Sequence, residues 1–151
     1  MTCKCLAMQS QGVHECWHTP VFYADLSDGA MMSATTPLEV IQAQLAAYNA
    51  KDIDALLATY AADAEQFTLH GERLAKGHEE MRARFLTRFA EPDLHARLLS
   101  RTVMGKVVVD LELITRNFPE GVGTMEMLCI YEVADGLIQK VSFAMGEKRL
   151  G

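Results

Sequence analysis

The sequence predicts one α+β domain over residues 36–150, in which three N-terminal helices pack on a curved antiparallel sheet and enclose an apolar pocket. Three segments before residue 92 carry apolar residues at helical spacing. Four longer segments after residue 93 alternate between two faces and are separated by turns that contain glycine or proline. Half of the 151 residues are hydrophobic, so the chain can bury a core of ordinary size.

The first two helices are predicted from their N-terminal caps. Thr36-Pro37-Leu38-Glu39 has the pattern of a capping box, with proline at the first helical position. The apolar face that follows comprises Leu38, Ile41, Leu45 and Tyr48. Asp52 can cap a second helix, which we expect to end at Asp63-Ala64. Its apolar face comprises Ile53, Leu56, Leu57 and Tyr60.

A short strand and a third helix are predicted next. The strand spans 65–70 and is followed by a turn at Gly71-Glu72. Gly77 precedes the helix, and Glu91-Pro92-Asp93 ends it, because the residue before proline disfavours helical geometry. The residues of this helix that face inward are Met81, Phe85 and Phe89.

The remainder is predicted to be a meander of four strands. They span 94–104, 107–116, 122–133 and 137–145. The first pair is joined by Gly105-Lys106 and the last pair by Asp135-Gly136, and both dipeptides suit two-residue hairpin turns.

Alternation along the first two of these strands separates a charged face from an apolar face. The tight turn places Arg101 opposite Asp110 and Leu99 opposite Glu112. The same face also carries His95, Arg97, Ile114 and Arg116. Because a sheet buries its apolar side, we expect the helices to cover Leu98, Val109, Leu111 and Leu113. The charged face is then the outer one, and we expect it to form a homodimer through Arg97, Arg101, Asp110 and Glu112.

Residues 1–35 show neither helical nor strand periodicity. They are predicted to be an N-terminal arm, either disordered or not native to the protein. Translation starting at Met31 or Met32 is one alternative, and an arm that lies across a partner subunit is another. The arm contains residue types that suit zinc, at Cys3, Cys5, His14, Cys16 and His18. Their spacing matches no common zinc module, so we expect neither a metal nor a cofactor.

Composition excludes some partners. The formal net charge is −6, and the basic residues form no local stripe, so we expect no nucleic-acid partner. No apolar run approaches the ~18 residues of a membrane span. The N-terminus lacks the continuous apolar segment of an export signal. A cytoplasmic location is therefore expected, with reduced cysteines.

Three sequence motifs resemble a known superfamily. They are AYNAKDIDAL at 47–56 with YAADA at 60–64, GHEEMR at 77–82, and MGEK at 145–148. Together with the order of elements over 37–150, they resemble the nuclear-transport-factor-2-like superfamily, which includes ketosteroid isomerase and the SnoaL-like polyketide cyclases. The resemblance implies a cone-shaped domain, a deep pocket between helices and sheet, and a homodimer.

The resemblance does not extend to the isomerase chemistry. That reaction needs a carboxylate base, a tyrosine and a protonated aspartic acid. The corresponding positions of this chain carry Thr68, Gln44 and Cys129. Threonine and a neutral thiol are poor bases near neutral pH, so steroid isomerisation by that mechanism is not expected.

Several residues are candidates for contact with a small apolar molecule, and no catalytic residue is named. These candidates are Tyr48, Tyr60, Thr68, His70, Met127, Cys129, Tyr131, Phe143 and Met145. Each has a second interpretation: the tyrosines, methionines and phenylalanine as core residues, His70 as a solvated turn residue, and Cys129 as an inert buried thiol.

Three functions stay open on the sequence. The first is an enzyme of isomerase, cyclase or hydrolase type that acts on a small apolar compound. The second is a carrier for a hydrophobic ligand, and the third is a protein-interaction module. We favour the enzyme, although the sequence predicts no carboxylate on the pocket side of the sheet.

Overall fold

A computed structural model describes residues 34–151, so the predicted arm and its cysteine and histidine residues lie almost wholly outside the described part of the chain. Helix α1 spans Pro37–Ala50 and has the predicted capping box. The Thr36 hydroxyl accepts a hydrogen bond from the Glu39 backbone N–H at 3.3 Å, and the Glu39 carboxylate accepts one from the Thr36 N–H at 2.7 Å. The helix ends at Lys51, which has a φ of 55°.

Helix α2 spans Ile53–Ala58 and is shorter than predicted. The Asp52 carboxylate caps it by accepting a hydrogen bond from the Ala55 N–H at 3.0 Å. The chain leaves the helix at Thr59, whose backbone oxygen accepts a hydrogen bond from the Ile138 N–H at 2.8 Å. Tyr60 consequently begins a strand, because pairing with a distant segment outweighs the helical pattern of the local sequence.

Strands β1 and β2 and helix α3 follow. They span Tyr60–Thr68, Arg73–Lys76 and Gly77–Phe89. Strand β2 was not predicted, because its four residues are too few to show alternation. The Glu80 carboxylate accepts a hydrogen bond from the Lys76 N–H at 2.7 Å at the start of α3.

The last four strands are β3 His95–Met104, β4 Val107–Phe118, β5 Gly121–Ala134 and β6 Leu137–Leu150. The six strands form one curved, open sheet in the order β2-β1-β6-β5-β4-β3. The β1–β6 pair is parallel and the other pairs are antiparallel. The three helices and the sheet confirm the predicted α+β class.

The structure reverses the predicted faces of the sheet. Val108, Asp110, Glu112 and Ile114 are buried on the inner face, which the helices cover. Val109, Leu111 and Leu113 alternate with them and are only partly buried. The prediction failed because both faces of β4 carry apolar residues, so hydrophobic alternation alone does not decide which face the helices cover.

A bulge in β3 also changes the predicted register. The pairing of Arg101 with Asp110 is confirmed, but Glu112 is opposite Leu98 rather than Leu99. The register shifts between Leu98 and Ser100, and a bulge moves the residues beyond it to the other face. Arg97 therefore lies on the outer face, paired with Leu113, whereas Arg101 points inward.

The core lies between the helices and the inner face of the sheet. Its larger part joins α1, α2 and α3 to the middle strands through Ile41, Leu56, Met81, Val108 and Val141. A smaller part lies against β3 and β4, around Leu94 and Ile114. None of the helices formed by residues 34–151 is long and apolar enough to cross a membrane.

Candidate functional site

A cavity of about 80 Å³ lies between the helices and the inner face of the sheet. Helices α1 and α3 provide one wall, and strands β1, β4, β5 and β6 provide the other. This volume exceeds what one water molecule needs. The lining includes six of the predicted contact residues, namely Tyr48, Tyr60, Met127, Tyr131, Phe143 and Met145.

The other three predicted contact residues do not line the cavity. Thr68 lies at the end of β1, where its hydroxyl accepts a hydrogen bond from the Glu72 N–H at 3.1 Å. His70 is an exposed turn residue. Cys129 is fully buried beneath the cavity lining. Gln66, two residues before Thr68 on the same face of β1, lines the cavity instead.

The cavity has a polar floor formed by five residues that are at most 5% exposed. They are Gln44, Tyr60, Gln66, Glu112 and Tyr131. Within residues 34–151, four buried side-chain atoms have no hydrogen-bond partner: Tyr60 Oη, Gln66 Nε2, Gln66 Oε1 and Glu112 Oε1. All four belong to this floor. Because a buried polar atom without a partner costs about 1–3 kcal/mol, their concentration in one cavity indicates a binding site.

Glu112 is the ionisable group of the floor. The pKa of Glu112 is raised to about 7, first by burial and then by the charge of Asp110, whereas Arg101 and the Cys129 thiol oppose the shift. The carboxyl group can therefore release and bind a proton near neutral pH. Sequence reasoning set Glu112 aside as a surface or dimer-contact residue, because the reversed assignment of the two faces put it on the outside.

Asp110 lies on the same face as Glu112 but is fully engaged. The Arg101 guanidinium donates two hydrogen bonds to its carboxylate, at 2.7 and 2.6 Å. Arg101 also donates to Gln42 Oε1 on α1 at 2.9 Å. This bidentate pair is almost wholly buried. The hydrogen bonds to Asp110 raise the pKa of Arg101, so the guanidinium stays charged, and its contacts hold β3, β4 and α1 together.

The tyrosines of the cavity are neutral hydrogen-bonding groups. Burial is the main cause that raises the pKa of Tyr48, Tyr60 and Tyr131. Tyr131 Oη donates a hydrogen bond to Gln44 Oε1 at 3.4 Å. The amides of Gln66 and Gln44 oppose the shift at Tyr60, although neither makes a hydrogen bond with its hydroxyl in correct geometry. The Tyr60 hydroxyl is consequently available to a ligand.

The Cys129 thiol is the hydrogen-bond partner of the Glu112 carboxyl group. Its sulfur lies 3.9 Å from Glu112 Oε2 and acts as a weak donor. Burial and the neighbouring Glu112 raise the pKa of Cys129 well above its ordinary value. The thiol is therefore protonated at neutral pH and is not a nucleophile.

Three arginines lie at the mouth of the cavity, where the side chains are only partly buried: Arg84, Arg88 and Arg116. The Glu91 carboxylate accepts hydrogen bonds from Arg88 and from Arg116, each at 2.7 Å. Arg84 forms no ion pair within the described residues. Desolvation and the charge of Arg88 lower its pKa. Within residues 34–151, no group of histidine, cysteine or acidic residues is arranged to hold a metal ion.

Sequence reasoning also missed the floor amides and the arginines of the mouth. Gln44 could have been predicted, because the resemblance places it where the isomerases carry a tyrosine. Gln66 lay within the predicted strand, on the same face as Thr68, but was not named because the resemblance pointed to Thr68. Nothing in the sequence distinguishes the arginines of α3 that line the cavity from ordinary surface arginines.

Comparison with known proteins agrees with this architecture. A family model described as a SnoaL-like domain matches residues 41–141. None of the curated proteins compared with the chain matches it. Among solved structures, an uncharacterised cystatin-fold protein from Novosphingobium aromaticivorans is 27% identical, with a TM-score of 0.68, and the match covers 73% of this chain and 98% of that one.

Two further structures show the same fold at lower identity. A hypothetical protein with a ketosteroid isomerase-like fold from Catenulispora acidiphila, solved with trimethylamine, is 17% identical over 72% of this chain and 88% of that one, with a TM-score of 0.62. A Sinorhizobium meliloti protein provisionally named a polyketide cyclase is 21% identical over 72% and 99%, with a TM-score of 0.59. The family match and the shared fold establish that the chain belongs to the SnoaL-like domain family, within the nuclear-transport-factor-2-like superfamily.

Proposed function

We propose that the protein is an enzyme that moves a proton on a small, mostly apolar molecule, with Glu112 as the general acid and base. The observation that carries the proposal is the set of unpartnered polar atoms on the cavity floor, which includes one oxygen of a carboxyl group with a pKa of about 7. Such perturbed groups in a cavity are typical of catalytic sites.

The reaction that suits these groups is proton abstraction next to a carbonyl. The Glu112 carboxylate takes a proton from the carbon. The electron pair of the broken C–H bond forms a carbon–carbon double bond, and the π pair of the carbonyl group moves to its oxygen. Tyr60 Oη and Gln66 Nε2 are donors that can stabilise the resulting oxyanion. Glu112 then returns the proton to the same or to another carbon. Isomerisation and cyclisation, named for structural neighbours, both use this step.

A carrier function is the second candidate, and the apolar wall favours it. Phe85, Met125, Met127, Phe143 and Met145 line the cavity, and methionine-rich walls adapt to varied apolar ligands. A carrier needs the same wall but does not need a carboxyl group that titrates near neutral pH.

Proton exchange with solvent separates the two functions. Cyclic and aromatic ketones are incubated with the protein in D₂O, and deuterium incorporation beside the carbonyl is followed by NMR. We expect exchange whose rate rises with pH through a midpoint near 7, because Glu112 must be ionised to act as the base. Glu112→Gln should lower the rate by about 100-fold or more.

The matched control is Glu126→Gln, which removes an exposed carboxylate from β5 and should leave the rate unchanged. Exchange that persists in Glu112→Gln would contradict the proposed role of Glu112. Binding of ketones without any exchange would favour the carrier.

We also propose a homodimer, formed through the apolar outer face of the sheet rather than through the charged residues that the sequence suggested. This outer face comprises Val109, Leu111, Leu113, Leu128 and Ile130, which are partly buried in the single chain. A second copy would cover it. Leu111→Lys should then convert dimer to monomer in sedimentation equilibrium, and a wild-type protein that is already monomeric at micromolar concentration would contradict the dimer.

A further inference from the structure

We propose that the molecule bound in this cavity carries a carboxylate, and that Arg84 binds this carboxylate at the cavity mouth. The inference rests on the proposed small-molecule function and adds the chemical class of the ligand. Arg84 lies on α3, one turn before Arg88, and lines the cavity beside Phe85. Its guanidinium can donate two parallel hydrogen bonds to a planar carboxylate.

The charge balance at the mouth leaves Arg84 without an acidic partner. Glu91 is already paired with both Arg88 and Arg116. Glu80, one turn before Arg84 on the same helix, is engaged by the Lys76 backbone N–H. Asp54 pairs with Arg82 on the exposed side of α3. No carboxylate within residues 34–151 lies within ion-pair distance of Arg84, although its side chain is partly desolvated.

The cavity is polarised from mouth to floor. The floor holds a carboxyl group, two amides and two phenols, whereas the mouth holds guanidinium groups. Tyr48 also lines the cavity. A ligand with a carboxylate at one end would be repelled by Glu112 and attracted by Arg84. This polarity fixes one orientation, with the reacting end of the ligand on the floor.

The test measures equilibrium binding, which does not depend on turnover. The probes are 2-naphthoate and its uncharged isostere 2-naphthamide, titrated by isothermal calorimetry near pH 7. We expect the wild type to bind the naphthoate about 10-fold more tightly, equivalent to about 1.4 kcal/mol. Arg84→Gln should abolish this preference while keeping the affinity for the amide. Arg84→Lys keeps a charge without the bidentate geometry and should retain part of the preference.

The matched control is Arg82→Gln, which removes an exposed arginine from the same helix and should keep the full preference. Equal affinity for the two probes in the wild type, binding of neither probe, or a preference that survives in Arg84→Gln would overturn the proposal. The same titration on the wild type, set beside its proton exchange in D₂O, separates this inference from the proposed reaction. A wild type that prefers the naphthoate but exchanges no ketone proton would leave the carboxylate site valid and the reaction wrong.

Discussion

Two regions of the inner face of β4 contain a buried carboxyl group, and their surroundings differ. Asp110 is paired with Arg101, which matches its charge with two hydrogen bonds shorter than 2.8 Å, and Gln42 in turn accepts a hydrogen bond from Arg101. Around Glu112, two residues further along the strand, there is a cavity, a weak thiol donor and an oxygen without a partner. The same chemical group thus stabilises the fold at one position and is available for a reaction at the other.

The largest effect is expected from removing the partner of Asp110. Arg101→Met leaves a wholly buried carboxylate unpaired or forces it to bind a proton, so the free energy of unfolding should fall by about 3–5 kcal/mol. Urea denaturation measures this loss. Arg97→Met, which removes an exposed arginine from the outer face of the same strand, should change stability by less than about 0.5 kcal/mol.

The double variant Asp110→Asn with Arg101→Met sharpens this result. It removes both charges and should recover part of the lost stability, because no unpaired charge stays buried. A loss below about 1 kcal/mol for Arg101→Met alone would mean that the pair is solvated, and the contrast with Glu112 would disappear.

A smaller effect of opposite sign is expected at Glu112. Its pKa is about 7 in the folded protein and has its ordinary value of 4.5 when unfolded. The folded state therefore binds the proton more tightly, and the unfolding free energy falls as pH rises between these two values. Relative to wild type, Glu112→Gln should be more stable by ~3 kcal/mol near pH 8 than it is near pH 4. If the unfolding free energies of Glu112→Gln and wild type differ by the same amount at pH 4 and at pH 8, the pKa of Glu112 is not raised.

The smallest effect is expected from the thiol below Glu112. Its hydrogen bond favours the ionised carboxylate, so Cys129→Ala should raise the pKa of Glu112, and Cys129→Ser should lower it because a hydroxyl is the stronger donor. Carbon-13 NMR titration of the Glu112 carboxyl measures both changes. Shifts in the same direction for the two variants would show that packing, rather than the hydrogen bond, is the cause.

Local features of the sequence predicted most of the fold. The Thr36 capping box, the Asp52 cap and the Asp135-Gly136 turn act through neighbouring atoms, and the structure contains all three. The end of α2 was predicted wrongly because Tyr60 pairs with Ile138, and no local pattern contains that information.

The site was harder to predict than the fold. The aromatic and methionine wall follows from alternation along β5 and β6, so Met127, Tyr131 and Phe143 were identified. Glu112 depends on which face of β4 the helices cover, and the apolar residues on both faces made that choice ambiguous. The cytoplasmic location stays a prediction.

Strand β6 lies between β1 and β5, although it follows both of them in sequence. Until residues 137–150 have left the ribosome, the β2-β1 pair and the β5-β4-β3 meander have no shared edge on which to join. The cavity wall is therefore complete only when β6 pairs with both β1 and β5. The pairing with β1 joins residues that are far apart in the chain. Nascent chains that stall before residue 137 would expose two unpaired strand edges and would be candidates for chaperone binding.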